Sequence, residues 1–142
     1  MGSAVAATHF IIDTSRYDQG PLNTAAYALA PYNQPASTIT GLDAGNWCNS
    51  FGAGAGLPPS ANTGVALLDA YLWVKVPGES DGSCDIAGGA RAWDYTAYDP
   101  WGIAGDAQNH FDPLWGMVDP AAGDWFASQA LQLAQNANPS LH

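Results

Sequence analysis

Lys75, Glu79 and Asp81 lie close together in the stretch WVKVPGESDGSC, where Pro77, Gly78 and Gly82 mark a loop. The whole chain has 3 Lys and Arg residues against 13 Asp and Glu. One of those scarce cations therefore stands just before two acids. A second, Arg16, closes the run Asp13-Thr14-Ser15-Arg16. A carboxylate beside cations has its charged form favoured and stays an anion at working pH. Such an anion suits a general base or a stabiliser of developing positive charge. A structural ion pair at a loop root is the plainer reading, and spacing alone leaves both open.

The elements that must position these groups are few. Residues 8–13, THFIID, form a short apolar, β-branched run that stops at polar residues and reads as a buried strand. Residues 67–76, LLDAYLWVKV, read as a second strand, with Asn62-Thr63-Gly64 as the turn before it. Arg16 follows the first strand and Lys75 lies at the end of the second. In α/β barrels the catalytic groups sit on loops after the carboxyl ends of the strands. Parallel neighbouring strands would therefore bring Arg16, Lys75, Glu79 and Asp81 together. Residues 17–59 and 77–119 are loop-rich, with a short helix expected over 23–29. The chain closes on GDWFASQALQLAQNANP. There Phe126, Ala130, Leu133 and Ala137 share one face of a helix that Asn138-Pro139 ends. Structureless stretches of about forty residues are uncommon in a compact domain. Either the loops are functional, or this is part of a larger domain whose other strands lie elsewhere. No internal repeat or linker divides the chain.

The length, 142 residues, fits one domain, and 47% apolar content is enough to bury a core. Charged residues are only 11%, and the net charge is −10. The acidity comes from a lack of cations, and it repels phosphate backbones and anionic membranes. A nucleic-acid or membrane partner is not expected; a neutral or cationic one is. The opening MGSAVAATHF has no basic start and no long apolar run, so no signal peptide is expected, and no run reaches the ~18 apolar residues of a membrane span. Met1-Gly2-Ser3 has the form of an expression start and His142 of the start of a tag, in which case the natural termini lie outside the chain. With two cysteines, Cys48 and Cys84, three histidines and no CxxC, a metal site is not expected. Two free thiols or one disulfide of an exported protein both fit.

Six Trp residues remain: 47, 73, 93, 101, 115 and 125. Trp73, in a strand, and Trp125, on a helix, are expected in the core. Trp47, Trp93, Trp101 and Trp115 lie in loops and are candidates for exposed rings. A Trp ring offers a flat apolar face and a polar N–H, which suits a sugar ring with its C–H face and hydroxyl rim.

Five segments, HFIIDTSR, NWCN, PSANTG, DAYLWVKVPGESDG and PAAGDWFASQALQLAQNANP, resemble glycoside hydrolase family 6, the cellulases that cut β-1,4-glucans. They run in family order over nearly the whole chain. The resemblance covers only the C-terminal half of the family's catalytic domain, so residues 1–142 are expected to be that half, with 1–3 foreign to it. The implied fold class is α/β: the loop-rich C-terminal part of a distorted seven-stranded (β/α) barrel. The implied site follows the motifs. Asp81 takes the place of the general base, and Arg16 pairs with it. Lys75 and Glu79 contact substrate, and Trp47 stacks on a glucose ring. Cys48 and Cys84 match a family disulfide.

The resemblance further implies inverting hydrolysis of cellulose or β-1,4-gluco-oligosaccharides by a secreted enzyme, with no cofactor. The family's general acid lies on an earlier strand in a motif like EPD, and no such motif precedes HFIIDTSR here. The chain is thus expected to need the N-terminal half of the domain. A non-catalytic glucan-binding fragment is the alternative. There are departures from the family pattern. Tyr17-Asp18 stands where Asn-Gly usually follows DTSR, and Pro58 where Arg or Lys often precedes PSANTG. Both bear on subsite contacts. Residues 81–120 are long for the family, and a loop there can roof a cleft into a tunnel.

If the implied disulfide is present, mass spectrometry of the unreduced protein finds no free thiol. Closing a loop of this length stabilises by ~3–4 kcal/mol in the chain-entropy model. Two alkylatable thiols would exclude it.

Overall fold

In a computed structural model, residues 7–20, 22–83 and 93–140 are described. Two parallel strands, β1 (Phe10–Asp13) and β2 (Leu68–Leu72), pair in the register Ile11↔Ala70, Ile12↔Tyr71 and Asp13↔Leu72. Because they are parallel, both carboxyl ends leave the sheet on the same side. The exits are stitched together. Thr14 N–H donates to Leu72 O at 2.8 Å, and Val74 N–H donates to Asp13 Oδ1 at 3.3 Å. Arg16 and Lys75 thereby start from adjacent backbones.

The first strand was expected to be buried. Instead Phe10 is 47% and Ile11 51% exposed. These neighbours point to opposite faces of the sheet, so among the described residues neither face of β1 is fully covered. Parallel sheets ordinarily have both faces packed, and two strands supply no layer to do it.

Two helices line the loops. Helix α1 (Ala36–Asp43) buries Thr38 and Leu42. Leu42 joins Tyr27 and Trp93 in an aromatic cluster flanked by Tyr32 and Tyr98, whose rings meet Trp93 edge-on. Tyr27 comes from a 3₁₀ turn, Thr24–Ala28, where a short helix was expected. Trp93, expected as an exposed loop ring, is 6% exposed at the centre of this cluster. A second 3₁₀ turn (Gly105–Asn109) leads into a two-residue hairpin, β3 (Phe111–Asp112) with β4 (Met117–Val118).

Helix α2 (Ala127–Gln135) covers the segment read as helical and ends before Ala137; its buried residues are Leu133, which was read on the apolar face, and Gln129, which was not. Phe126, at its N-cap, and Leu133 are buried, and Leu133 packs with Ala53, Ala55, Trp73 and Ala137. Burying Phe126 and Leu133 contributes about 1.5–3 kcal/mol each. Trp125, expected in the core, is 63% exposed. It precedes the helix and lies off its buried face.

The segment before α2 also holds the acidic loop. Phe126 N–H donates to Gly78 O at 2.7 Å, Ser80 N–H to Asp124 O at 2.8 Å, and Gly123 N–H to Ser80 O at 3.0 Å. Gly78 makes this approach possible. Its φ is +88°, and a Cβ there would sit 2.6 Å from the Ala130 methyl and 2.7 Å from the Trp125 ring. Gly78→Ala should therefore cost ~1–2 kcal/mol for the left-handed backbone and a further ~1–3 kcal/mol for overpacking. Thermal unfolding of the variant measures this, and an unchanged midpoint would contradict the close approach.

Candidate active site

Asp81 sits where the two strand exits converge. One Arg16 guanidinium nitrogen, Nη1, donates to Asp81 Oδ2. Lys75 Nζ lies 3.2 Å from Asp81 Oδ1. Each carboxylate oxygen thus faces its own cation. Lys75 also donates to Glu79 Oε1 at 3.1 Å and to the Ser80 carbonyl at 3.2 Å. An ammonium has three donors, and these three acceptors match their number. The side chains of Arg16 and Lys75 are 22% exposed and that of Asp81 26%, so water reaches the carboxylate without screening it fully.

Burial alone would raise the Asp81 carboxyl. The hydrogen bond and charge of Arg16, the bond from Lys75 and the Asn49 backbone N–H outweigh it and hold Asp81 below the ordinary carboxylate value. Asp13 behaves likewise: burial pushes it up, and bonds from Ser15 and the Val74 and Lys75 backbone bring it below its usual value. It is the acceptor that ties the two exits together.

Trp47 is half-buried. It packs on the aromatic cluster of Tyr27, Leu42 and Trp93 and lines a cavity of about 670 Å³. Arg16 lines the same cavity, with Tyr17, Gln19, Tyr27 and Phe51 among the other walls. One guanidinium therefore faces Asp81 and also borders the space that presents the Trp47 ring. Asp81, Lys75 and Glu79 are not among the residues that line that cavity. Cys48 is disulfide-bonded, while Cys84 lies outside the described residues.

Two residues that hold Asp81 in place were given no such role in the sequence reading. Asn49, fully buried, bonds to Asp81, Gly82 and Asp119 through its side chain. Trp115, read as an exposed ring, is half-buried instead. It donates its indole N–H to the Asn49 carbonyl at 2.6 Å and packs against Phe51 and Phe126. Trp101 packs on Phe111 and Tyr98. The place of Asn49 directly after Trp47-Cys48 in NWCN was the available clue to the first.

Arg16 is thus the residue that links the ion cluster at Asp81 to the cavity lined by Trp47. The sequence profile of the glycosyl hydrolases family 6 matches residues 1–137. The chain belongs to that family. It is 39% identical over 132 residues to 1,4-beta-D-glucan cellobiohydrolase C of Emericella nidulans, covering 93% of this chain and 22% of that protein. It is 42% identical over 101 residues to exoglucanase 2 of Hypocrea jecorina, covering 68% of this chain and 17% of that one. Among solved structures, a mutant cellobiohydrolase Cel6A of Humicola insolens in complex with a cellobio-derived isofagomine superposes with a TM-score of 0.53 at 30% identity. That match covers 94% of this chain and 28% of the other. The same Humicola enzyme in complex with glucose and cellotetraose gives 0.50 at 30% identity, with the same two shares. The chain thus spans about a fifth of the length of these curated relatives.

The cations make a signed prediction. A depressed Asp81 stabilises the fold above the unfolded-state value, and that stability is lost as pH falls through the folded value. Arg16→Met should therefore be less stable than the parent by roughly 1 kcal/mol at pH 7, the upper range for an exposed pair. The gap should close as pH falls below the ordinary value of 3.8. Urea unfolding at neutral and acid pH measures it, and a gap of equal size at both would mean that Arg16 acts by packing alone.

Proposed function

We propose that residues 1–142 are the C-terminal half of a family 6 catalytic domain, and that the complete domain hydrolyses β-1,4-glucosidic bonds of cellulose or a related β-glucan with inversion. One observation carries this reading: within the family's GESDG motif, Asp81 has a cation on each carboxylate oxygen. In this reading β1 and β2 are neighbouring strands of a distorted seven-stranded barrel. Their uncovered faces, with Phe10 and Ile11 exposed, support it.

Inversion takes one step. A carboxylic acid protonates the leaving oxygen while a carboxylate takes a proton from water attacking the opposite face, the two groups standing ~6.5–9.5 Å apart. Asp81 is the base. The anionic form that Arg16 and Lys75 favour is the form that can accept that proton. Glu79, held by Lys75, and Lys75 itself contact substrate, and Trp47 stacks on a glucose ring. The general acid comes from the N-terminal half. Cys48 pairs with Cys84 and ties the Trp47 loop to the Asp81 loop. The disulfide fits a secreted protein, as does the extracellular location of an insoluble substrate.

Loss of one general catalyst costs ~10²–10⁴-fold in rate. Reducing-sugar release from soluble cellulose derivative should therefore be barely detectable for the 142-residue chain and robust for the complete domain. In the complete domain, Asp81→Ala should abolish most of it. Trp47→Ala should weaken cello-oligosaccharide binding by ~1–3 kcal/mol in calorimetry, by analogy with other ring stacking. Equal rates for fragment and domain would place the acid within these residues and overturn the half-domain reading. Unimpaired activity in Asp81→Ala would overturn the base. Glucan binding by the complete domain without release would favour the non-catalytic alternative.

A further inference from the structure

Asn49 is fully buried and holds φ at +47°, in the left-handed region that Asn tolerates. Every atom of its side-chain amide is engaged. Oδ1 accepts the Asp81 backbone N–H at 2.7 Å. Nδ2 donates to the Gly82 carbonyl at 2.9 Å and to Asp119 Oδ2 at 2.8 Å. Asn49 also uses its backbone. Its N–H donates to Asp81 Oδ2 at 3.3 Å, and its carbonyl accepts the Trp115 indole at 2.6 Å.

Asp119 is itself buried. Its Oδ2 accepts from Nδ2, which turns the amide's NH₂ toward Asp119 and leaves Oδ1 for Asp81. The amide then grips the acidic loop at two successive points, the Asp81 N–H and the Gly82 carbonyl. Ser80 adds a third hold, its hydroxyl donating to Pro120 O at 2.7 Å and accepting from Gly82 N–H at 3.0 Å. The cations fix where the carboxylate points, whereas these bonds fix the backbone from which it projects.

We propose that Asn49 is the positioning residue for Asp81, with Asp119 setting the orientation of its amide. Its part in the reaction rests on the reading of Asp81 as the base. Asn49 touches no reacting atom. It keeps Asp81 within reach of both Arg16 and Lys75, and so keeps it an anion.

The test uses the complete catalytic domain. Asn49→Gly retains the left-handed backbone and removes the amide. The carboxyl ¹³C titration midpoint of Asp81 should rise toward the ordinary value, and the acid limb of kcat/KM should rise with it. Misplacement of about 1 Å costs on the order of 10²-fold, so kcat should fall by that order while KM changes by less than about threefold. A residue that only fills space would lower the Tm and leave the midpoint and the acid limb in place, and that result overturns the proposal. Asn49→Gly also takes away a donor to the buried Asp119. Should it fail to fold, Asn49→Ser offers Asp119 a hydroxyl but cannot span Asp81 and Gly82, and an unmoved Asp81 midpoint there would be equally decisive against Asn49. Full activity in Asp81→Asn would instead overturn the base reading, and the Asp81 midpoint in Asn49→Gly would still decide whether Asn49 positions it.

Discussion

The contact between Arg16 and Asp81 joins residues 65 positions apart, and most of the described fold serves to let it form. Parallel pairing of β1 with β2 aligns the two exits, and the register Asp13↔Leu72 sets Arg16 beside Lys75. The acidic loop must then be brought back over those exits. Its turn at Gly78 lies against α2, and backbone bonds to residues 123–126 hold it there. Removing water from the carboxylate disfavours its charge, and the two cations more than offset that cost. The balance depends on distance. An Asp81 displaced by a few ångströms would keep the desolvation and lose the compensation, which is why its backbone is held by Asn49 as well as its side chain by Arg16 and Lys75.

The cluster was legible in the sequence to an uneven degree. The rarity of cations singled out Arg16 and Lys75, and two apolar runs placed them after strands; the structure puts both on Asp81. The period of Phe126 and Leu133 gave α2, because a single buried stripe is a local property. Helix α1 was not legible. Its sequence, ASTITGLD, is small and polar, contains a Gly and two Thr, and has no side-chain cap. It is held by burying Leu42 against Tyr27, from the preceding turn, and Trp93, from a segment far along the chain. The tryptophans make the same point. Gly- and Asp-rich neighbours suggested that Trp93 and Trp115 were exposed, and an expected place on the helix suggested that Trp125 was buried. Tertiary packing reversed the readings of Trp93 and Trp125 and left Trp115 half-buried, since flanking composition does not say which loops pack on one another.

What the structure leaves uncovered is as informative as what it buries. Phe10 and Ile11 lie on opposite faces of a two-stranded parallel sheet and are both about half exposed. An isolated sheet of this kind has little stability of its own, and its open edge invites pairing. Here the loops supply much of the packing, through an aromatic cluster around Trp93 and a small aliphatic one around Leu133. The site is therefore held by hydrogen bonds where loops pack against α2 and Asn49, while the sheet beside it is left uncovered. That distribution agrees with a chain spanning 22% and 17% of two longer relatives.

The central claim is that Asp81 is kept an anion by two cations brought to it by the strand exits. The most direct measurement is the carboxyl ¹³C titration of Asp81 in the unsubstituted protein. The account predicts a midpoint below the ordinary 3.8 of an aspartate. A midpoint at or above that value would mean that burial outweighs Arg16 and Lys75, and would contradict it.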